Sequence, residues 1–234
     1  MKKLIAVAVL AAFSSLPYAA EKDITTDVVV VGQGAAGTAA AFAAAEQGAK
    51  VIGIEKKGVV GGTGNFSEGI FAVGSKMQRD YYIPLTKDEA FKKIGHWRSN
   101  ARLVRAFVDK SADTVDWMQK HGVKFEKLTT NYPGGLYTWH IYEGRGAGWI
   151  NALQKKGKEQ YGMQVLLNTP AEKLIFGKDG KVAGVVAKDK DGNTLNIHAK
   201  AVIIATGGFA DNPEMMKKYT RFPNTDGLAQ AGKN

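Results

Sequence analysis

Val28-Val29-Val30-Val31, Val51-Ile52-Gly53-Ile54 and Ala201-Val202-Ile203-Ile204-Ala205 are short, almost unbroken apolar runs rich in branched residues. Such runs predict strands buried on both faces. Between the first two lies Gly32-Gln33-Gly34-Ala35-Ala36-Gly37, then an alanine-rich helical stretch over residues 38–47 that stops at Gly48. Strand, helix and strand at this spacing make a βαβ unit. The middle of the chain changes period and predicts helices. Thr86-Lys87-Asp88-Glu89 fits a capping box. Asn100 suits the cap of a helix carrying Leu103, Val104 and Phe107, and a second helix is expected over 112–121, ended by Gly122. An amphipathic helix follows over 148–160, with Ile150 and Leu153 inward and Gly162 as its stop. From residue 164 to 205 the pattern is that of strands. Asp179-Gly180 and Asp191-Gly192 separate runs at 173–176, 182–187 and 194–198, which predicts an antiparallel meander. Pro213 suits the first turn of a last helix reaching Lys218, and residues 222–234 form a polar tail.

The leading twenty residues stand apart from this pattern. Lys2 and Lys3 precede a ten-residue apolar stretch, 4–13, and small or polar residues follow to Ala20. This predicts a signal peptide over 1–20 and a protein exported to the periplasm, with Ala19 and Ala20 as cleavage candidates. Ten apolar residues are too few to span a bilayer, and no later run is longer, so no membrane span is expected after cleavage. The chain has 234 residues and no cysteine. Disulfides, thiol redox chemistry, iron–sulfur clusters and Cys-ligated zinc are excluded, so redox work needs an organic cofactor. The formal charge is +10, with Lys2 and Lys3 included. The lysines are scattered and never run five together, which points away from nucleic acid and toward a field that attracts small anions.

Gly32-x-Gly34-x-x-Gly37 sits between a predicted strand and a predicted helix. Here the first glycine makes the tight turn, the second admits a diphosphate, and the third lets helix and strand pack closely. Glu55 ends the second strand, 18 residues after Gly37, where a carboxylate accepts hydrogen bonds from a ribose diol. These features suit NAD and FAD alike. Two later clusters, Gly61-Gly62-Thr63-Gly64-Asn65-Phe66-Ser67 and Ala205-Thr206-Gly207-Gly208, suit a ligand that continues past its diphosphate.

With residues 28–37, Glu55, 61–69 and 202–209 taken together, the sequence resembles the fumarate reductase/succinate dehydrogenase flavoprotein family, in particular its soluble exported fumarate and urocanate reductases. Arg102-Leu103-Val104-Arg105-Ala106-Phe107 and Asp116-Trp117-Met118 resemble the same group. The resemblance covers residues 24–234 and implies an α/β, Rossmann-like FAD-binding fold of glutathione-reductase type, with a helical insert and an antiparallel β-meander. It implies that Gly32, Gly34, Ala35, Ala36 and Gly37 hold the FAD diphosphate and that Glu55 and Lys56 meet the adenosine ribose. Gly62, Thr63, Asn65 and Ser67 would lie beside diphosphate and flavin, and Gly69 would let the backbone pass the ring. Ala171, Ala205, Thr206 and Gly207 would meet adenine through the main chain. Asp226, in Thr225-Asp226-Gly227, resembles part of a further flavin-binding stretch. FAD would be non-covalent, since Gly62 stands where other members carry the attaching His.

The implied activity is hydride transfer from reduced flavin to a small α,β-unsaturated carboxylate, with electrons from an external donor such as a cytochrome. In the family, the segments carrying the cap domain and the catalytic His and Arg residues follow the stretch that resembles 205–211. The carboxy-terminal half of the family fold is therefore expected to be absent here, leaving an incomplete FAD-binding domain over 24–234. No catalytic residue is assigned, and a non-catalytic fragment needing a second chain is the alternative. A NAD-dependent dehydrogenase is the remaining reading. His96, His121 and His198 read as surface residues. His140, in a glycine-rich loop expected over 132–148, is the histidine placed to approach flavin or substrate. No metal-ligand spacing and no Gly-x-Ser-x-Gly elbow occur.

Overall fold

The computed structural model of the protein describes residues 20–94 and 100–221. The expected leader up to residue 19, His96, and the 222–234 tail with Asp226 lie outside the described residues.

A six-stranded sheet in the order β6-β2-β1-β9-β8-β7 forms the frame. Its strands are β1 (Glu21–Val31), β2 (Val51–Ile54), β6 (Gln164–Leu166), β7 (Ala171–Phe176), β8 (Val182–Lys188) and β9 (Thr194–Ile204). β6, β2, β1 and β9 are parallel, whereas β7, β8 and β9 form the expected antiparallel meander. The runs at 194–198 and 201–205 are one strand, not two. Ala199 and Lys200 contain no breaker, and the whole of β9 has a partner: β1 pairs with it from Glu21↔Thr194 to Val31↔Ile204. That partner also draws the mostly polar residues 21–26 into β1, ahead of the apolar run, with Ile24 packed on the core. Valines alternate across β1. Val29 and Val31 join Ile52, Ile54, Val185, Ala187, Leu195 and Ile197 in one core, while Val30 packs with Ala41, Ala45, Val51 and Met163. The second group is the seat of α1 (Ala35–Glu46) against the sheet.

The insert holds α2 (Lys76–Asp80), α3 (Lys87–Ile94), α4 (Ala101–Lys120), α5 (Arg145–Tyr161) and a three-stranded sheet, β3-β5-β4. Thr86 and Glu89 form the reciprocal capping box, and the Asn100 side chain accepts from the Arg102 and Leu103 N–H groups. The two helices expected over 101–121 are a single α4. Ser111 does not interrupt it, because its hydroxyl donates to the Val108 carbonyl one turn back and accepts from Val73 N–H. Its buried face is Val108, Ser111, Ala112, Val115 and Met118; Leu103 and Phe107 lie outward.

The stretch expected as a glycine-rich loop is β5 (Tyr137–Tyr142) in its middle and the start of α5 at its end, with β5 flanked by β3 (Gly69–Phe71) and β4 (Phe125–Thr130). Its alternation is inverted, with Thr138, His140 and Tyr142 inside. His140 is thus not a loop residue but fully buried. Its Nδ1 lies 3.0 Å from the Thr138 carbonyl and must donate, so Nε2 accepts the Ser75 hydroxyl at 2.7 Å. His121, expected at the surface, is also buried. Its ring sits edge-on to Phe42 and Trp117, 3.0 Å from Glu46 and 3.3 Å from Lys156. The carboxyl ends of α1 and α4 meet there and close over it. His198 is half-exposed, as expected. Phe42, Met118, Tyr142, Trp149, Ile150 and Leu153 form a further core that fastens α4, α5 and β5 to α1.

Candidate functional site

β1, β2 and β9 deliver their carboxyl ends to one edge of the sheet, and a cleft of about 790 Å³ opens there. Ligands in open α/β sheets bind at this edge. Gly32 leaves β1 with φ +89°, its N–H donating to the Ile54 carbonyl at 2.8 Å. A Cβ on Gly32 would lie 2.6 Å from the Ala205 carbonyl, so the turn needs both the conformation and the room. Gly34 is the N-cap of α1 and supplies no side-chain cap, and the first turn carries no acid. The first N–H groups of a helix have no intrahelical partner. Ala35 and Ala36 line the cleft, so this positive helix end opens into it. Helix α1 starts at Ala35 rather than at residue 38, which puts the motif's last residues inside that first turn.

Glu55 follows β2 and lines the same cleft beside the turn that leads into α1. It is 8% exposed. One carboxylate oxygen accepts from Gln33 N–H at 2.9 Å and the other from Lys57 N–H at 3.0 Å. Its backbone accepts from Thr169 N–H at 2.8 Å, which carries Pro170 and Ala171 into the cleft. The loop after β2 is strapped across by Gly61 N–H donating to the Gln33 carbonyl at 2.7 Å.

Of the residues singled out in the sequence, Gly32, Gly34, Ala35, Ala36, Glu55, Lys56, Gly62, Thr63, Ala171, Ala205, Thr206 and Gly207 line this cleft. Others stand behind it. A Cβ on Gly37 would overlap the Gly32 carbonyl, so this glycine seats α1 on β1. Asn65 donates to the Val60 carbonyl at 2.9 Å and Ser67 to the Gly64 carbonyl at 2.8 Å; both brace the 3-10 turn at Gly62–Phe66. Gly69 leaves room for the β5 backbone at His140. Sequence reasoning missed Gln33, Thr38 and Gln154. Gln154 donates to the Gln33 side-chain carbonyl at 3.0 Å and to Thr38 Oγ1 at 2.9 Å. The signal for Gln33 was a long polar residue inside the fingerprint turn.

An uncapped helix end, a buried carboxylate beside the turn before it and a cleft of this size fit a dinucleotide of the FAD kind. Fold and cleft define an α/β dinucleotide-binding protein. Residues 27–231 match the family described as FAD binding domain. The chain belongs to that family, which decides between FAD and NAD. It is 38% identical over 200 residues to the vinyl phenol reductase of Lactiplantibacillus plantarum, covering 84% of this chain and 40% of that one. It is 34% identical over 228 residues to the urocanate reductase of Eggerthella lenta, covering 91% and 38%. The open conformation of a flavocytochrome c3 fumarate reductase superposes with a TM-score of 0.75 at 34% identity, covering 84% of this chain and 36% of that one. The chain therefore spans about two-fifths of the length of these relatives. Among the described residues, no helix is long and apolar enough to cross a membrane, and no group of three His, Asp or Glu residues could hold a metal ion.

Proposed function

We propose that the protein is a flavin-dependent reductase of a small α,β-unsaturated carboxylate, exported, with FAD held non-covalently and electrons taken from an external donor such as a cytochrome. One observation carries the reading: the uncapped start of α1 and the Glu55 carboxylate line a single cleft, with Glu55 bonded to the turn that leads into α1. The first-turn N–H groups of α1 donate to the diphosphate, and Glu55 accepts from the ribose hydroxyls with the lone pairs its backbone bonds leave free. Ala171 and residues 205–207 offer main-chain groups to adenine, and Lys56 lies beside the ribose. Thr63, Asn65 and Ser67 keep the second glycine turn beside the diphosphate and flavin. Bound FAD supplies the hydride-donating centre. The names of the urocanate and fumarate reductases among the relatives support the substrate class, and the glycine at position 62 supports non-covalent attachment. Lys2, Lys3 and the apolar stretch behind them support export.

The test starts with the visible spectrum of the purified chain. Yellow protein that releases its flavin on acid denaturation, bleaches with dithionite and is reoxidised by fumarate or urocanate bears the proposal out. Reoxidation by 4-vinylphenol alone would move the substrate class away from carboxylates. Flavin that no acceptor reoxidises would leave a binding fragment that needs a second chain. A colourless chain that takes up no FAD would end both readings.

A further inference from the structure

Gln33 occupies the variable position between the first two glycines of the fingerprint, yet its side chain is completely buried. Three walls of the cleft converge on this residue. Its N–H donates to Glu55, its carbonyl accepts from Gly61 N–H and from Thr38 Oγ1, and its side-chain carbonyl accepts from Gln154 of α5. The Nε2 group returns to the Val30 and Gly32 carbonyls at 3.3 and 3.2 Å. The seat for this side chain is Gly53, in the middle of the four-residue strand β2. A Cβ there would lie 2.5 Å from Gln33 Nε2. Glycine weakens a strand interior, so its place in β2 has a local reason: it yields its side-chain volume to Gln33. Helix α5 reaches the far wall as well, because a Cβ on Gly146 would overlap Gly64 in the second glycine turn. One helix therefore touches both glycine turns.

We propose that Gln33 is a positioning residue for the dinucleotide: seated on Gly53 and bonded to Gln154, it fixes the diphosphate turn relative to Glu55 and to the second glycine turn. This rests on the flavin reading above. A buried polar group with all its partners holds one geometry, and removing a partner leaves the others unsatisfied. Gln33→Ala should weaken FAD binding by about tenfold, the equivalent of roughly 1.4 kcal/mol.

The test separates positioning from packing by pairing affinity with stability. FAD and ADP dissociation constants and melting temperatures are measured on the full chain. Gln33→Ala should lose both affinity and stability. Gln33→Ala with Gly53→Ala refills the hole and should regain melting temperature while FAD and ADP stay weakly bound. Gln154→Ala leaves Gln33 in its seat but takes one donor from its side-chain carbonyl; it should weaken both ligands while lowering the melting temperature less than Gln33→Ala does, and it carries the test even where the Gln33 variants fail to fold. Recovery of affinity together with stability in the double variant, or unchanged affinity in Gln154→Ala, would overturn the positioning role. Wild-type chain that binds neither ligand would instead remove the flavin reading itself, leaving the two failures distinct.

Discussion

Replacing Glu55 by Ala removes the proposed ribose partner and a structural group at once, and the two losses can be measured apart. Its carboxylate holds the N–H groups of Gln33 and Lys57 at 2.9 and 3.0 Å, and 8% exposure admits little water as a substitute. Hydrogen bonds to a charged partner contribute about 1.5–3 kcal/mol each. The two share one acceptor and are not additive, so roughly 3 kcal/mol is the expected loss in the ligand-free protein. For a domain of this size that lowers the melting temperature by about 6–12 °C. Glu55→Gln keeps the shape and one carbonyl oxygen but turns an amide N–H₂ toward a backbone donor, so it should lose about half as much. Thermal melts of the apo chain read the first effect, and titration with FAD reads the second. An Ala variant that melts within about 1 °C of wild type would refute the structural role, whatever its affinity.

Acid should destabilise the fold through two histidines. Burial depresses the pKa of both His121 and His140 below the ordinary 6.5, with Glu46 opposing the effect at His121 while Lys156 and Lys120 reinforce it. The unfolded chain then binds protons that the folded chain refuses. Stability is full above about pH 6.5 and is lost as pH falls toward the folded pKa values. The urea midpoint should drop between pH 8 and 5, and His121→Gln with His140→Gln should flatten that slope; a flat wild-type profile would contradict it. Gly37→Ala forces a methyl into the Gly32 carbonyl and should cost about 1–3 kcal/mol or more, seen as a lowered denaturant midpoint. Leu153→Ala opens a hole in the core that joins α5 to α1 and should cost about 2–5 kcal/mol by the same measurement.

Local chemistry made the framework legible. The apolar runs at Val28–Val31 and 201–205, the Asp-Gly turns and the caps at Thr86 and Asn100 each specify a short-range outcome, and each holds. What escaped was decided by partners distant in sequence. Residues 21–26 are mostly polar, with Ile24 the single apolar position, yet they pair along β9. The β3-β5-β4 sheet escaped because β5 buries Thr138 and His140 and turns Trp139 and Ile141 partly outward, an inversion only the neighbouring strands can impose. His121 was misplaced for the same reason: helix-end chemistry is local, but the Phe42 ring and Glu46 carboxylate that close over it arrive from α1.

The cleft divides in the same way. Its fingerprint glycines were legible from their spacing, and at Gly32 and Gly37 a side chain is excluded by the nearby backbone. The residue that fills the volume so released is harder to see. Gly53 has no turn, cap or positive φ to explain it, and its strand neighbours Val51, Ile52 and Ile54 are all buried. A glycine in such a run demands an occupant, and the occupant lies twenty positions earlier, between the first two glycines of the fingerprint. Neither residue predicts the other by period or spacing; only the crossing of β1's exit turn over β2 brings them together. The fingerprint thus specifies where a diphosphate can approach, while the geometry that keeps this approach open depends on a polar contact from α5, outside the motif. An Ala at position 53 should therefore weaken FAD binding as Gln33→Ala does, although no atom of Gly53 lines the cleft.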